Sequence, residues 1–450
     1  MRYFIPLCLS LCLFASAAFA DQTLKIATFN VDATPPIGSP VAYAPTRSVL
    51  DPLSARGIIL YPANQKPIVL CAVDWIGIAN DGFEQWKVRL AKAAQTDANR
   101  VTIHTLHQHD GVRCDFTTHQ ILAERGVGKL KYDVVFLRQT IARVADAIKT
   151  ASKSPKVVTH IGTGKAQVEK VASNRRILGD DGKVKIIRFS KSTNPAAIAA
   201  PEGVIDSWLR SVTFFQEDKP LAVLTYYATH PQSYYGQGDV TSEFVGLARK
   251  QREKETGVLH IHFNGASGNV AAGKYNDGSV KTRPILTARM AQGMEAAWKN
   301  TERQPISSDD ILWKTAEVTL PLGSHLVADK LLEVLDNKEA DIKEKLTAAK
   351  HLAWLQRTNA GYPIVLSSLK LNDTYLLHMP GELFVEYQLA AQKMKPKSKV
   401  CMAAYAEYGP GYIGTAISYS QGGYETSERA SRVSSGSESI LLDAMEALLK

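Results

Sequence analysis

Cysteine is scarce in this chain. Its 450 residues contain five, and two of these, Cys8 and Cys12, fall within the first 20 residues. Cys71, Cys114 and Cys401 remain, an odd number that allows at most one intramolecular disulfide. Their spacing excludes a disulfide scaffold and a cysteine zinc site. Beyond the N-terminus no apolar run reaches the roughly 20 residues that a membrane-spanning helix requires. There is no evident internal repeat, low-complexity segment or linker. The basic surplus, a net charge of +9, is scattered over 149–156, 183–191 and 393–399 without interleaved aromatic residues. That pattern argues against a nucleic-acid-binding face. The compact zinc signature H-E-x-x-H is also missing.

Residues 1–20 read as a signal peptide: Arg2 supplies a positive start, 4–14 is almost wholly apolar, and Ala18-Phe19-Ala20 fits a small-residue cleavage site. A mature chain starting at Asp21 would be periplasmic or secreted. Hydrophobic content of 45% and charged content of 22% are ordinary for a globular protein. Residues 21–450 are expected to form a single domain. Strand-like and helix-like segments alternate along its length, which indicates an α/β protein with mixed β-sheets flanked by helices. Apolar strands are predicted at 22–30, 57–61, 67–74, 101–109, 221–227, 258–263 and 374–378, and amphipathic helices at 83–96, 132–152 and 285–299.

Reactive residues recur where apolar strands run out. His107 and His109 follow the first such strand, and at period two they are expected to share a face. His230 follows 221–229, Asn264 to Asn269 follows 258–263, and Glu382 follows 375–379. In α/β sheets, ligand sites lie beyond the carboxyl ends of strands, so these ends are expected to share one crevice. Each signal has a plainer explanation. A His-x-His pair is often structural, His-Pro usually is, and Glu382 reads as an acid favoured by the dipole of a helix opening at Pro380.

The order of the motifs is more specific. Asp32-Ala-Thr-Pro-Pro-Ile-Gly38, Leu106-His-Gln-His-Asp-Gly111, Ala172-Ser-Asn-Arg175, Ala228-Thr-His230, Ser267-Gly-Asn-Val270, Pro380-Gly-Glu382 and the tyrosines of 408–424 follow one another along the chain. In this order they resemble the catalytic domain of the neutral (alkaline, non-lysosomal) ceramidases, zinc amidases that cleave the N-acyl bond of ceramide. The resemblance extends over nearly the whole mature chain and implies a ceramidase-like catalytic fold. It implies Zn2+ held by His107, His230, Glu382 and Tyr419, with His109 and Arg175 facing the reacting carbonyl. Two imidazoles and a carboxylate suit zinc and leave room for a water, whose pKa such an ion lowers to about 7. The implied activity is therefore zinc-dependent hydrolysis of an N-acyl bond in a small-molecule or lipid-like substrate.

Two departures bear on that activity. The family segment G-D-x-S-P-N corresponds here to Gly268-Asn-Val-Ala-Ala-Gly273, so its serine has become Ala271. A serine mechanism at that position is excluded, whereas a zinc-hydroxide mechanism needs no such group. The chain is expected to consist of the catalytic domain without the C-terminal immunoglobulin-like domain of full ceramidases. Both changes point away from ceramide itself. A zinc esterase, or a non-catalytic zinc- or ligand-binding protein on the same fold, would share these residues. Asp110 stands where the family has serine, and the sequence gives it no role.

Overall fold

The computed structural model describes residues 22–450; the predicted signal peptide lies outside that range. Its strands bury apolar side chains on both faces. In β1 (Leu24–Asp32), Leu24 and Ile26 enter a central core while Ala27 and Phe29 enter an outer one. After β2 (Ser54–Tyr61), β3 (Ile68–Val73) sends Ile68, Leu70 and Ala72 inward and Val69, Cys71 and Val73 outward. A strand covered on both faces reads as a continuous apolar run, which is how 68–73 reads. All three cysteines are free and buried.

Helix α1 (Asn80–Ala94) crosses from β3 to β4 (Val101–Thr105), which therefore lies parallel to β3. Helix α2 (Val134–Ala151) then packs on α1 and on β1. The sheet order is β4-β3-β2-β1, with antiparallel pairing everywhere except the crossover pair. Lys156–Val158 adds an edge strand beside β1.

This arrangement occurs twice more. In the second unit, β5 (His160–Gln167), β6 (Trp208–Gln216) and β7 (Lys219–Tyr227) run antiparallel. Helix α3 (Glu243–Thr256) crosses to a parallel β8 (Leu259–Asn264), and α4 (Thr282–Lys299) packs on α3 and β5. In the third, β9 (Ile311–Val318), β10 (Ile364–Leu371) and β11 (Thr374–His378) precede α5 (Val385–Met394), a parallel β12 (Lys399–Ala403) and α6 (Ser437–Leu449). Here α6 packs on α5 and β9. The sequence shows no repeat, yet the topology repeats three times. The segments 33–53, 168–207 and 319–363, inserted after each unit's first strand, differ in length and content and hide the period. The last contains helices Ala328–Asp336 and Ile342–Asn359, the second opened by an Asp341–Glu344 capping box.

The three sheets turn one face toward the same central core. Ile58, Leu70, Val212, Leu224, Ile261, Leu369 and Leu376 meet there, all essentially inaccessible. Truncating one of them, as in Leu224→Ala, removes contacts that a close-packed interior cannot re-form and costs about 2–5 kcal/mol. The parallel pairs β3/β4, β7/β8 and β11/β12 end together at one pole. Backbone bonds tie those ends across sheets: Thr105 N–H donates to Tyr405 O, and Ala404 N–H to Asn264 O.

Candidate metal centre

The loops leaving this pole carry the reactive residues. β4 ends at Thr105, two residues earlier than a strand bearing His107 on its pleat would require. His107 instead takes a positive φ of 61°. Its backbone N–H donates to Trp75 O and its Nδ1–H to Ile76 O, at 2.9 and 2.7 Å. A carbonyl can only accept, so the Nδ1 proton is fixed and Nε2 presents a lone pair. His230 is held the same way: Nδ1 lies 2.7 Å from Ser267 O and 3.1 Å from Val270 O.

Both Nε2 atoms stand 3.1 Å from Glu382 Oε2. Glu382 does not open a helix. Glu382–Leu383 is a short strand paired in parallel with Tyr412–Ile413, and α5 begins at Val385. Gly381, at φ 59°, makes the turn, and Glu382 N–H donates to Gly411 O at 2.8 Å. Pairing with the tyrosine segment, rather than a helix dipole, therefore places the carboxylate. Tyr408 donates its hydroxyl to Glu382 Oε1 at 2.5 Å, which leaves Oε2 facing the imidazoles. Burial alone would raise this carboxyl, but the adjacent imidazoles hold it well below the usual range. Burial lowers His230. With both Nε2 atoms unprotonated, three acceptors converge in a site 0–3% exposed; a proton or a metal ion between them links the carboxylate to the imidazoles. Among the described residues this is the one group of three or more His, Cys, Asp or Glu side chains so arranged. Such a group can hold a metal ion, and two imidazoles with a carboxylate are a donor set that suits a zinc-like one.

Around the cluster, His109 Nε2 lies 3.2 Å from His107 Nε2, and its Nδ1 2.7 Å from the Tyr43 hydroxyl. Because His107 Nε2 accepts, His109 Nε2 carries the proton, and Tyr43 donates to Nδ1. Burial and the neighbouring imidazoles keep His109 well below the usual histidine range. Arg175 does not touch the three acceptors directly. Its Nη1 donates to the Tyr412 hydroxyl at 3.0 Å, and that hydroxyl is 3.4 Å from His230 Nε2. Glu425 pairs with Arg175 Nε at 3.1 Å.

The structure does not bring Tyr419 to this cluster. The chain turns at Thr415 into a short helix, Ala416–Gln421, and the Tyr419 hydroxyl meets Ser431 Oγ at 3.0 Å. The phenol beside His230 is Tyr412, seven positions earlier in the same tyrosine spacing. Tyr405 stacks on His107 at 4.6 Å between ring centroids and binds Ser267 Oγ at 2.7 Å, so the Ser267 hydroxyl is engaged by a phenol while its carbonyl holds His230. Ala271 is fully buried and bridges the His230 strand end. Asp110 Oδ1 accepts Gly236 N–H at 2.8 Å, which ties down the loop carrying Tyr235 against His109. His104 is structural, bonded to Thr102 Oγ1 and Ala404 O. Tyr43 and Tyr405 carry no motif signal, since an isolated tyrosine is indistinguishable from packing until the chain is folded; Tyr408 lies in the tyrosine segment but has no role assigned by its spacing.

This topology is the ceramidase fold, and at its sheet junction stands the buried His107, His230 and Glu382 cluster. Two solved structures share the fold. The neutral ceramidase from Pseudomonas aeruginosa matches over 95% of this chain and 75% of its own, with a TM-score of 0.69 and 15% identity. A ceramidase complexed with C2 matches over the same shares, with a TM-score of 0.68 and 15% identity. No family model and no curated protein matches the chain. The ceramidase-like α/β fold expected from the motif order is thus the fold observed. Among the described residues no helix is long and apolar enough to cross a membrane.

Proposed function

We propose that this chain is an exported, zinc-dependent hydrolase of an N-acyl (amide) bond, acting on a lipid-like or other small N-acyl substrate rather than on ceramide itself. The observation that carries this reading is the buried convergence of His107 Nε2, His230 Nε2 and Glu382 Oε2. These three residues hold the ion, and Tyr412, in place of Tyr419, is the phenol beside it. The ion supplies Lewis acidity toward a carbonyl and a water acidified to about pKa 7. The chain's own residues orient and stabilise. His109, its Nε2 proton fixed by Tyr43, donates toward an oxygen that becomes negative. Arg175, linked by Glu425 and Tyr412, adds positive charge behind that position. The mixed sequence of polar and aromatic residues at the mouth, with Tyr43 and Tyr235 beside His109, suits an acyl amide.

Ala271 favours a second reading, a metal-binding protein without hydrolytic activity. One experiment separates the two: purified protein is assayed for zinc and for cleavage of fluorogenic N-acyl amides and esters, with and without chelator. The hydrolase reading expects about one zinc per chain, chelator-sensitive amide cleavage, and loss of cleavage in His230→Ala with the fold intact. Zinc without turnover supports the binding protein. Ester cleavage alone makes it an esterase. Absence of zinc, with metal content unaffected by Glu382→Gln, removes the basis of both.

A further inference from the structure

The central core does not end uniformly. On three strands that face it, the apolar pattern stops at the same end and cations take over. Reading inward positions only, β6 runs Phe214, Val212, Arg210, Trp208; β5 runs Ile161, Thr163, Lys165; and β12 runs Ala403, Cys401, Lys399. Register places these ends together, since Arg210 pairs with Lys165 and Lys399 with Thr374. Lys399 Nζ reaches Thr163 Oγ1 across the sheets at 2.7 Å. Between them lies a cavity of about 510 Å³, within the size range of small-molecule sites. It sits apart from the metal centre, whose residues do not line it.

These three cations mark the solvent end of the core: Lys165 is exposed, Lys399 about one-third exposed and Arg210 part-buried, and each can attract counter-charge. Two carboxylates supply part of it. Asp206 holds Arg210 at 2.8 Å and also accepts from Gln388 and Gln392. Glu302, itself largely exposed, stands 3.6 Å from Lys399. Among the described residues no carboxylate pairs with Lys165, whose Nζ lies 5.0 Å over the Trp208 ring. Three positive charges against two negative leave one. The remaining wall is mixed: Trp208, Val400 and Cys401 give it an apolar strip, and Ser211, Asn300 and Ser398 are among its polar residues.

We infer that this cavity is a second ligand site for a monoanionic amphiphile, its carboxylate held by Lys165 and Lys399 and its apolar body laid along Trp208 and the exposed end of the core. The inference stands independently of the hydrolase reading, although the carboxylate released by N-acyl cleavage belongs to the same class. The test is titration of the intact protein with octanoate, 1-octanol, octylamine and octyl phosphate, followed by calorimetry and tryptophan fluorescence. The expected result is saturable 1:1 octanoate binding, with 1-octanol and octylamine at least about tenfold weaker because they lack the charge-assisted contacts. Lys165→Met and Lys399→Met, each checked for an unchanged melting temperature, should weaken octanoate about tenfold. Trp208→Phe should abolish the fluorescence change. Glu382→Gln should leave the affinity unaltered, which separates this site from the metal centre. No octanoate binding, equal binding of 1-octanol, indifference to both lysine substitutions, or loss of binding in Glu382→Gln would each overturn the assignment. Tighter binding of octyl phosphate than of octanoate would overturn the carboxylate.

Discussion

Replacing Glu382 by Gln is expected to change the protein's stability in opposite directions with and without metal. With zinc bound, the carboxylate neutralises part of the ion's charge and Gln cannot. An ion present at 1,000 times its dissociation constant stabilises the native state by about 4 kcal/mol. At about 2.1 cal/mol/K per residue, a chain of 450 residues unfolds with an entropy near 0.9 kcal/mol/K, so loss of the ion lowers the melting temperature by about 4–5 °C. After chelation the order reverses. Tyr408 donates to Oε1 at 2.5 Å and fixes the amide so that its NH2 replaces Oε2, 3.1 Å from both imidazole lone pairs. With both Nε2 atoms unprotonated, Gln places a donor where the wild type has only the carboxylate oxygen, a difference of about 1–3 kcal/mol, or about 1–3 °C. Because Glu382 is held well below the usual carboxylate range, it stays ionised at neutral pH. Scanning calorimetry at pH 9, on zinc-loaded and chelated samples of both proteins, reads all four states. If chelated wild type at pH 9 is as stable as chelated Glu382→Gln, the three-acceptor account is wrong.

Three further outcomes are expected. Tyr412→Phe should lower amide cleavage about tenfold or more, the usual scale for losing one oriented polar contact at a reacting centre, whereas Tyr419→Phe should leave zinc content and activity within about twofold; steady-state kinetics with metal analysis decides. Gly268→Ala should lose zinc and about 1–3 kcal/mol of stability in denaturant titrations, because its new Cβ would lie 2.2 Å from Glu382 O, a backbone atom that cannot swing away. Asp110 has its pKa raised to about 7, chiefly by burial. The folded state therefore disfavours its ionised form, and a destabilisation builds from about pH 4, the unfolded value, up to pH 7 and stays constant above it. Asp110→Asn keeps the acceptor for Gly236 N–H, so it should raise the melting temperature at pH 8 and leave it unchanged at pH 4.

Motif order made the fold and three of the four expected metal-site positions legible, because His107, His230 and Glu382 each stand a few residues beyond a strand whose apolar run is visible in the sequence. The fourth was misdirected. Tyrosine spacing marks a segment but not which ring turns inward, and the short helix at 416–421 carries Tyr419 toward Ser431 while Tyr412 stays on the strand that pairs with Glu382. Glu382 read as a helix start because an acid after Pro-Gly carries that local signal; a two-residue parallel pairing with a segment 30 positions later leaves none. Period-two reasoning brought His107 and His109 together for the wrong reason, since a positive φ at His107 joins them. The threefold topology escaped notice because it resides in the order of pairing, which no local pattern encodes.

That topology has a consequence for how the chain can be cut and rejoined. His107, His230 and Glu382 come one from each unit, on loops that do not cross a unit boundary. Metal capture is therefore a three-way coincidence: a fragment of two units holds two of the three donors, whereas separate pieces that reassociate restore the set. New termini opened near 153–155, between the first and second units, would interrupt no ligand loop. A circularly permuted chain of this kind should still bind the ion, and its affinity would then measure how firmly the three sheets dock.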